Sequence, residues 1–261
     1  FTNSCKIDCT TAGSALTGTK EIKSEQAIEG YDIIRAGFGT IYAKSLTLSF
    51  WVKSNQAADY ALWLYRPDGS RHTSLFYTIN SADTWEFKTL TFQPDTSNTV
   101  AIDNTAGLHV AFILNTGPDF ASGTSPNGSW EAITNVNRYV GHTATIGDST
   151  SDYFEYTGIQ LEVGKVATPF EHRSFGEELA LCQRYCYRIG GRDLGANNEH
   201  HIGTGHAYNA TSHNVSVHFP VEMRGNPTLT AYPSSGNVLQ FYMGAAGQYA
   251  SRSDINSLND F

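Results

Sequence analysis

The sequence has little charge, little methionine and no long apolar run. Only 16% of the 261 residues are charged and only 2 are methionine. No apolar stretch approaches the ~20 residues that a helix needs to cross a bilayer, so we expect no membrane insertion. The formal net charge is −8, whereas a nucleic-acid-binding surface needs an excess of basic residues. The composition therefore argues against both membrane and nucleic-acid partners.

Cysteine is also scarce, and its spacing does not fit the common metal motifs. The 4 cysteines form two C-x3-C pairs, Cys5 with Cys9 and Cys182 with Cys186. Along a strand, the first pair is too widely spaced to form a disulfide. Structural zinc sites prefer C-x2-C pairs or nearby histidines. We therefore expect four free thiols that are buried as small hydrophobic groups, in a protein that assembles in a reducing cytoplasm.

The residues that are present favour a chain of short strands. Leu46, Leu48, Phe50 and Val52 alternate with other side chains, which is the period of a strand with one buried face. Similar segments occur at 5–9, 21–28, 60–66, 73–78, 85–92, 108–114 and 153–163. Glycine is frequent, with 24 residues, and no helical pattern separates these strands. The sequence therefore predicts a jelly-roll β-sandwich.

A strand pattern passes directly into a helix pattern near residue 170. The parity of the apolar residues changes within the last strand, which predicts a β-bulge near Thr157 and Gly158. Ser174 and Glu177 have the spacing of a capping box, which satisfies free N–H groups at a helix start. We expect a helix over 175–189.

The predicted fold class is all-β: a jelly-roll β-sandwich, then a short connector helix, then a smaller C-terminal β segment. The expected boundaries are 1–172 for the sandwich, 173–191 for the connector helix and 192–261 for the C-terminal β domain. In that last part we expect strands at 213–219, 228–232 and 238–243. The first residues already fit a strand and no initiator methionine is present, so we expect a fragment of a longer protein.

The sequence contains no familiar catalytic motif. It has no G-x-S-x-G, no P-loop and no H-E-x-x-H, and sequence alone places no carboxylate pair at glycosidase spacing. We therefore expect no enzymatic activity and assign no catalytic residue. Imidazoles of His200, His201 and His206 could meet at a symmetry axis and bind a metal, but exposed loop histidines are far commoner, so we assign no metal ligand.

Aromatic residues next to polar ones are the candidates for ligand binding. Sugars stack their C–H faces on flat rings while polar groups contact the hydroxyls. The candidate glycan-binding residues are Trp51, Trp63, Tyr65, Arg66, Asp68 and Trp130. The alternative is that these aromatics fill the core of a sandwich that has little methionine or leucine.

One apolar stripe runs along the predicted helix. It consists of Leu179, Cys182, Cys186 and Ile189, at the spacing of a single helix face. The stripe either docks on its own chain or meets symmetry mates around a three-fold axis. On the second reading, these four residues form an oligomer interface.

Three segments resemble one family of bacteriophage virion proteins. Residues 158–185 contain the runs GIQLEVG, ATPFEHR and ELALCQRY, which match the closing strand and helix of that family. Residues 29–54 and 77–92 resemble its early and middle strands, so the resemblance covers roughly residues 1–190. The family comprises tail-fibre or appendage subunits with a carbohydrate-binding-module-like β-sandwich.

The resemblance implies a fibre or appendage subunit that projects from a phage tail or capsid and helps attachment to the host surface. It implies a homotrimer, other virion proteins as partners, a host cell-surface glycan as ligand, and the virion as location. Structural calcium is common in such sandwiches, although no Asp-rich loop supports it here. The alternative function is a glycan-binding module of a polysaccharide-directed protein or a depolymerase.

Overall fold

We describe the protein from a computed structural model. The structure describes residues 1–188, 205–207, 213–216, 218–228, 239–243 and 248–252. The chain divides into two compact units, Phe1–Glu171 and His172–Phe261. The finer three-part division at 172 and 191 stays a prediction. Within these described ranges, no helix is both long and apolar enough to cross a membrane.

The first unit is built from nine strands. They are β1 (Cys5–Asp8), β2 (Glu21–Glu29), β3 (Leu46–Ser54), β4 (Asp59–Arg66), β5 (Arg71–Thr78), β6 (Glu86–Phe92), β7 (Ala106–Thr116), β8 (Glu131–Ala132) and β9 (Tyr153–Val163). Every predicted strand of this unit is present, with bounds that shift by one to two residues in most cases. The two-residue strand β8 had no signal in the sequence.

The strands form two antiparallel sheets with the connectivity of a jelly roll. One sheet has the order β1-β9-β3-β6 and the other β2-β7-β4-β5-β8. With the short strand β8 set aside, the orders become 1-8-3-6 and 2-7-4-5, which is the arrangement of an eight-stranded jelly roll. The predicted fold class is therefore confirmed.

The core lies between the two sheets because each long strand turns one apolar face inward. On β3, Leu48, Phe50 and Val52 are completely buried, and on β4 Leu62 and Leu64 are completely buried. These side chains belong to one contiguous cluster that draws on both sheets. Burying such side chains stabilises the fold by roughly 1.5–3 kcal/mol each.

A β-bulge bends strand β9 where the sequence predicts one. The pairing of β9 with β3 shifts register between Ser49 and Trp51, whose partners are Gln160 and Thr157. Gly158 takes a φ of +59° inside this bulge, a conformation that favours glycine. The bulge therefore reconciles the two halves of the strand, as expected.

A helical turn packs under the sandwich between β2 and β3. It consists of α1 (Gly30–Ile33) followed by a 3-10 turn, Ile34–Ala36. Ile33 and Phe38 from this segment are buried in the main core. The segment therefore contributes apolar side chains to the core between the two sheets.

The second unit begins with α2 (Phe175–Gln183). Its N-terminus has the predicted capping box, because Ser174 and Glu177 each accept a hydrogen bond from the other's backbone N–H. The helix is shorter than the predicted 175–189 and ends six residues earlier. The carbonyl of Arg184, just after the helix, accepts a hydrogen bond from the backbone N–H of Arg224 at 3.0 Å.

The rest of the second unit contains short hairpins in its described parts. Strand β10 (Gly205–Ala207) pairs with β11 (His213–Val215), and β12 (Leu239–Met243) pairs with β13 (Gln248–Arg252). The predicted strand at 213–219 is thus shorter than expected. The one predicted at 228–232 lies outside the described residues, except for residue 228.

The expectation that the cysteines are buried was wrong. All four are free, but Cys5, Cys182 and Cys186 are exposed and Cys9 is only half-buried. Cys5 lies on the short edge strand β1 and is exposed there, and none of the residues of α2 is buried. These thiols therefore do not act as core groups within the described part of the chain.

Candidate functional site

The outer face of the five-stranded sheet carries two stacked aromatic rings. Inward residues of β4 fill the core, so Trp63 and Tyr65 project from the opposite side. Their ring centroids lie 5.2 Å apart and their planes differ by only 3°. We call this outer surface, formed around Trp63 and Tyr65 by side chains of β2, β7, β4, β5 and β8, the Trp63 face.

Trp63 is held in one orientation by a buried hydrogen-bond chain. Its indole Nε1–H donates to Nδ1 of His72 at 3.1 Å, and Nε2 of His72 lies 3.1 Å from Oε1 of Glu131. Since Nδ1 accepts from the indole, the proton of the neutral imidazole lies on Nε2 and points at Glu131. Burial lowers the pKa of His72, although Glu131 works in the opposite direction, so the ring is neutral at pH 7.

The segment 117–146 covers one end of the Trp63 face. Phe120 and Tyr139 from this segment are buried against Trp63 and Ala61 in a second apolar cluster. The hydroxyl of Tyr139 donates to the carboxylate of Glu21 on β2. This cover leaves Trp63 only 3% exposed, whereas Tyr65 remains partly exposed.

Arg138 lies between the covering segment and the sheet. Its guanidinium carbon is 5.2 Å from the centroid of the Trp63 ring and 4.7 Å from that of Phe120. The residue is half-buried, and its Nε has no hydrogen-bond partner and no exposure to solvent. Within the described residues, Arg138 forms no ion pair, since none of the observed ion pairs includes it.

Charged side chains of β2 and β7 line the opposite side of the face. Nζ of Lys23 lies 5.3 Å from the Trp63 ring centroid and bridges Glu21 at 3.1 Å and Glu25 at 2.5 Å. Glu25 also pairs with Nδ1 of His109. Partial burial works against its ionised form, but Lys23 and His109 together lower the pKa of Glu25. Glu25 is therefore an anion that already has two partners.

The exposed aromatic of this site is Tyr65. Its ring is stacked on Trp63 and lies 5.7 Å from the imidazole of His109, which is directly opposite on β7. His72 is its cross-strand neighbour on the other side, in β5. Four residues therefore lie side by side across the sheet, in the order His109, Tyr65, His72 and Glu131. The flat ring of Tyr65 lies between the polar side chains of the two histidines.

The other predicted glycan-binding residues do not join Trp63 and Tyr65. Trp51 lies on the other sheet, where its partly exposed ring is 5.4 Å from that of Phe87. Trp130 packs edge-on against Phe38 at 5.4 Å, and its Nε1–H donates to the carbonyl of Gln93 at 2.8 Å.

Arg66 is a structural residue, so its assignment to a ligand site was wrong, whereas the assignment of Asp68 stays a prediction. Arg66 has no exposed surface and forms an ion pair with Asp95, because its place at the end of β4 turns it into the interior. The carboxylate of Asp68 accepts a hydrogen bond from the backbone N–H of Ala101 at 2.7 Å and fixes a loop.

Sequence reasoning missed most of the polar residues of the Trp63 face. Lys23 and Glu25 alternate on β2 and His109 interrupts the apolar run of β7. That alternation is visible in the sequence as a polar face on β2. Arg138 gave no signal, because its position over Trp63 depends on the path of a long loop.

The predicted interface and metal residues fall elsewhere. Leu179 and Cys182 are exposed on α2, Cys186 is exposed just after the helix ends, and Ile189 lies outside the described residues. In the described ranges, no group of three or more histidine, cysteine, aspartate or glutamate side chains could hold a metal ion. His200 and His201 of the histidine group also lie outside these ranges, and of His206 only the backbone is described.

Comparisons with known proteins add little to this description. No family model and no curated protein matches the chain. Its fold is similar to a solved structure described as "CBM4 structure and function", with 14% sequence identity and a TM-score of 0.32, over 58% of this chain and 66% of that one. A likeness this distant carries no argument about function. The resemblance of residues 158–185 to phage virion proteins stays an expectation.

Proposed function

We propose that the Trp63 face binds a glycan and that Tyr65 is the ring on which a sugar stacks. The observation that carries this proposal is the parallel stack of Trp63 and Tyr65, of which only Tyr65 is partly exposed. Sugars present an apolar C–H face and polar edges, and a flat ring between polar groups matches both. Trp63 packs against one face of the Tyr65 ring and, because it is almost fully buried, offers a ligand little surface of its own.

The polar groups beside Tyr65 are oriented before any ligand binds. His109 is fixed by Glu25 on one side, and His72 is fixed by Trp63 and Glu131 on the other. A side chain that is already ordered loses little entropy on binding. The arrangement therefore favours recognition of a rigid, hydroxyl-rich ligand.

We propose binding without cleavage. Glu25 and Glu131 are the carboxylates bonded to the two histidines beside Tyr65, and they are carried by the two outer strands of the sheet. At a strand spacing of ~4.8 Å these strands are about 19 Å apart, whereas glycosidases hold their two carboxylates roughly 5–10 Å apart. Absence of new reducing ends after incubation with any bound polysaccharide is the expected result, and their release would overturn this point.

The binding proposal is tested with a glycan array followed by calorimetry on the best ligand. Tyr65→Ala removes the stacking surface and should weaken binding about tenfold or more, since aromatic stacking contributes roughly 0.5–1.5 kcal/mol beyond area burial. Tyr65→Phe keeps the ring and should stay within about threefold of wild type. Trp51→Ala is the matched control, because it removes an exposed aromatic from the other sheet.

Two results would contradict the proposal. One is unchanged affinity in Tyr65→Ala, which would place the ligand elsewhere. The other is loss of binding in Trp51→Ala with Tyr65→Ala unaffected, which would move the site to the four-stranded sheet. Fluorescence of the four tryptophans, all within the first unit, shows that each variant remains folded.

We further propose that this module belongs to a phage fibre or appendage subunit and takes part in attachment to the host surface. The proposal starts from the resemblance of residues 158–185 to the closing segment of such subunits, together with the β-sandwich body. Imaging of a virion with an antibody against the first unit should show labelled fibres. An unlabelled particle that contains no such chain by mass spectrometry would contradict the assignment.

We propose that the subunit is a trimer joined through α2 and the residues that directly follow it. Leu179, Cys182 and Cys186 are all exposed in the single chain, as an interface between copies requires. Cys186→Glu should reduce the trimeric fraction in light scattering without changing the tryptophan-monitored stability of the sandwich. Leu181→Glu, which is exposed on another side of α2, is the control. A monomeric wild-type protein would overturn this proposal.

A further inference from the structure

The Trp63 face holds one positive charge that no acidic side chain compensates. Its carboxylates already have partners: Glu21 contacts Lys23 and Tyr139, Glu25 contacts Lys23 and His109, and Glu131 contacts His72 and Asn137. Arg138 is different: its side chain contacts the hydroxyl of Tyr139, but it forms no ion pair with any described residue although it lies over the same ring. Its charge is therefore available to a ligand.

Arg138 is also held ready for binding. The guanidinium lies over the rings of both Trp63 and Phe120, contacts that favour a cation electrostatically. The backbone N–H of Arg138 donates to the carbonyl of Asn135 at 3.2 Å, so the loop that carries it is ordered. An arginine fixed by stacking keeps its planar fork of donors oriented and loses little freedom when an anion binds.

The distance from Arg138 to the proposed sugar platform suits one ligand. Both the guanidinium carbon of Arg138 and the ring of Tyr65 lie 5.2 Å from the ring of Trp63. Arg138 and Tyr65 are therefore within about 10 Å of each other, on the same face of the sheet. A sugar stacked on Tyr65 can extend a charged substituent, its own or that of the adjoining residue, toward Arg138.

We propose that the glycan bound at the Trp63 face is acidic and that Arg138 binds its carboxylate. This inference rests on the proposed glycan-binding function and adds the chemical class of the ligand. A carboxylate is planar and accepts two parallel N–H bonds from a guanidinium, a charge-assisted pairing that is about twice as strong as a neutral one. The acidic side chains of the face do not compete with the ligand for Arg138, because each of them already binds partners of its own.

The test compares sugars that differ only in charge. Sialyllactose and oligogalacturonate are each measured against their own methyl esters, by calorimetry with wild type, Arg138→Gln, Arg138→Lys and Arg35→Gln. Wild type should prefer the acidic member of a pair about tenfold. Arg138→Gln should abolish that preference, and Arg138→Lys should keep part of it. Arg35→Gln removes an exposed arginine from the 3-10 turn after α1 and should behave as wild type.

Each outcome separates this inference from the proposal on which it rests. Equal affinity of wild type for acidic and neutral members overturns the role of Arg138 while glycan binding stands. Absence of binding to every sugar on the array overturns both. The salt dependence of wild type gives a second readout in case Arg138→Gln folds poorly. The preference for the acidic sugar should shrink between 20 and 500 mM NaCl, because the Debye length falls from ~20 Å to below about 5 Å. A preference independent of salt overturns the ionic contact.

Discussion

Acid should weaken the sandwich through His142, which anchors the end of the segment that covers the Trp63 face. Nδ1 of His142 accepts a hydrogen bond from the backbone N–H of Ala61 at 3.1 Å. Its ring also packs edge-on against Tyr60, with centroids 5.9 Å apart. A proton added at Nδ1 would face the N–H of Ala61 directly, so the native structure accommodates only the neutral ring.

The magnitude follows from the pKa of this histidine. Burial lowers the pKa of His142 to about 4, although backbone carbonyls and Asp59 work in the opposite direction. The unfolded chain takes up a proton near pH 6.5, so the unfolded state binds more protons between pH 6.5 and 4. The free energy of unfolding therefore falls as the pH drops through this window, by about 3 kcal/mol at pH 4.

The assay is urea unfolding of wild type and His142→Asn at pH 7 and pH 4, followed by tryptophan fluorescence. Asparagine keeps an acceptor near the position of Nδ1 but does not titrate. The variant should be less stable than wild type at pH 7, because it loses the ring packing. The gap between the two should narrow by about 3 kcal/mol at pH 4. The carboxylates titrate equally in both proteins and therefore cancel in the comparison. A difference in unfolding free energy that is the same at pH 7 and pH 4 would refute the reasoning.

Three further substitutions should change stability in ways that follow from single contacts in the structure. Asp95→Ala should cost about 3–5 kcal/mol in urea unfolding, because it leaves the fully buried Arg66 without its carboxylate; a loss below 1 kcal/mol would contradict this. Gly30→Ala should cost about 1–3 kcal/mol, since its Cβ would lie 2.0 Å from the Ala101 carbonyl oxygen; an unchanged melting temperature would refute that contact. Ser174→Ala should cost about 1 kcal/mol of helix stability, seen as faster amide exchange in the first turn of α2, and unchanged exchange would argue against the cap.

Much of the fold could be predicted because its signals are local. The alternation along β3 and β9 depends only on neighbouring residues, and the bulge at Gly158 follows from a change of parity within one strand. The capping box of Ser174 and Glu177 spans four residues. The structure differs where distant segments meet: α2 ends six residues before the predicted end, and the carbonyl of Arg184 just after it accepts from Arg224, forty residues away.

The candidate site could be predicted only in part. Alternation places Trp63 and Tyr65 together on one face, but it does not say which face of β4 points inward or that Trp51 belongs to the other sheet. Arg66 was assigned to a ligand site because its neighbours are aromatic, whereas its partner Asp95 comes from a loop beyond β6. Such contacts between distant segments have no local signature.

The most direct test of the glycan-binding proposal uses the tryptophan side chains as reporters. A ¹H–¹⁵N spectrum should contain four indole N–H signals, and the spectrum of Trp63→Phe assigns the one from Trp63, which donates to His72. Addition of the array-selected glycan should shift the Trp63 signal and leave that of Trp51 in place. A shift at Trp51 with no change at Trp63 would contradict the assignment of the site to the Trp63 face.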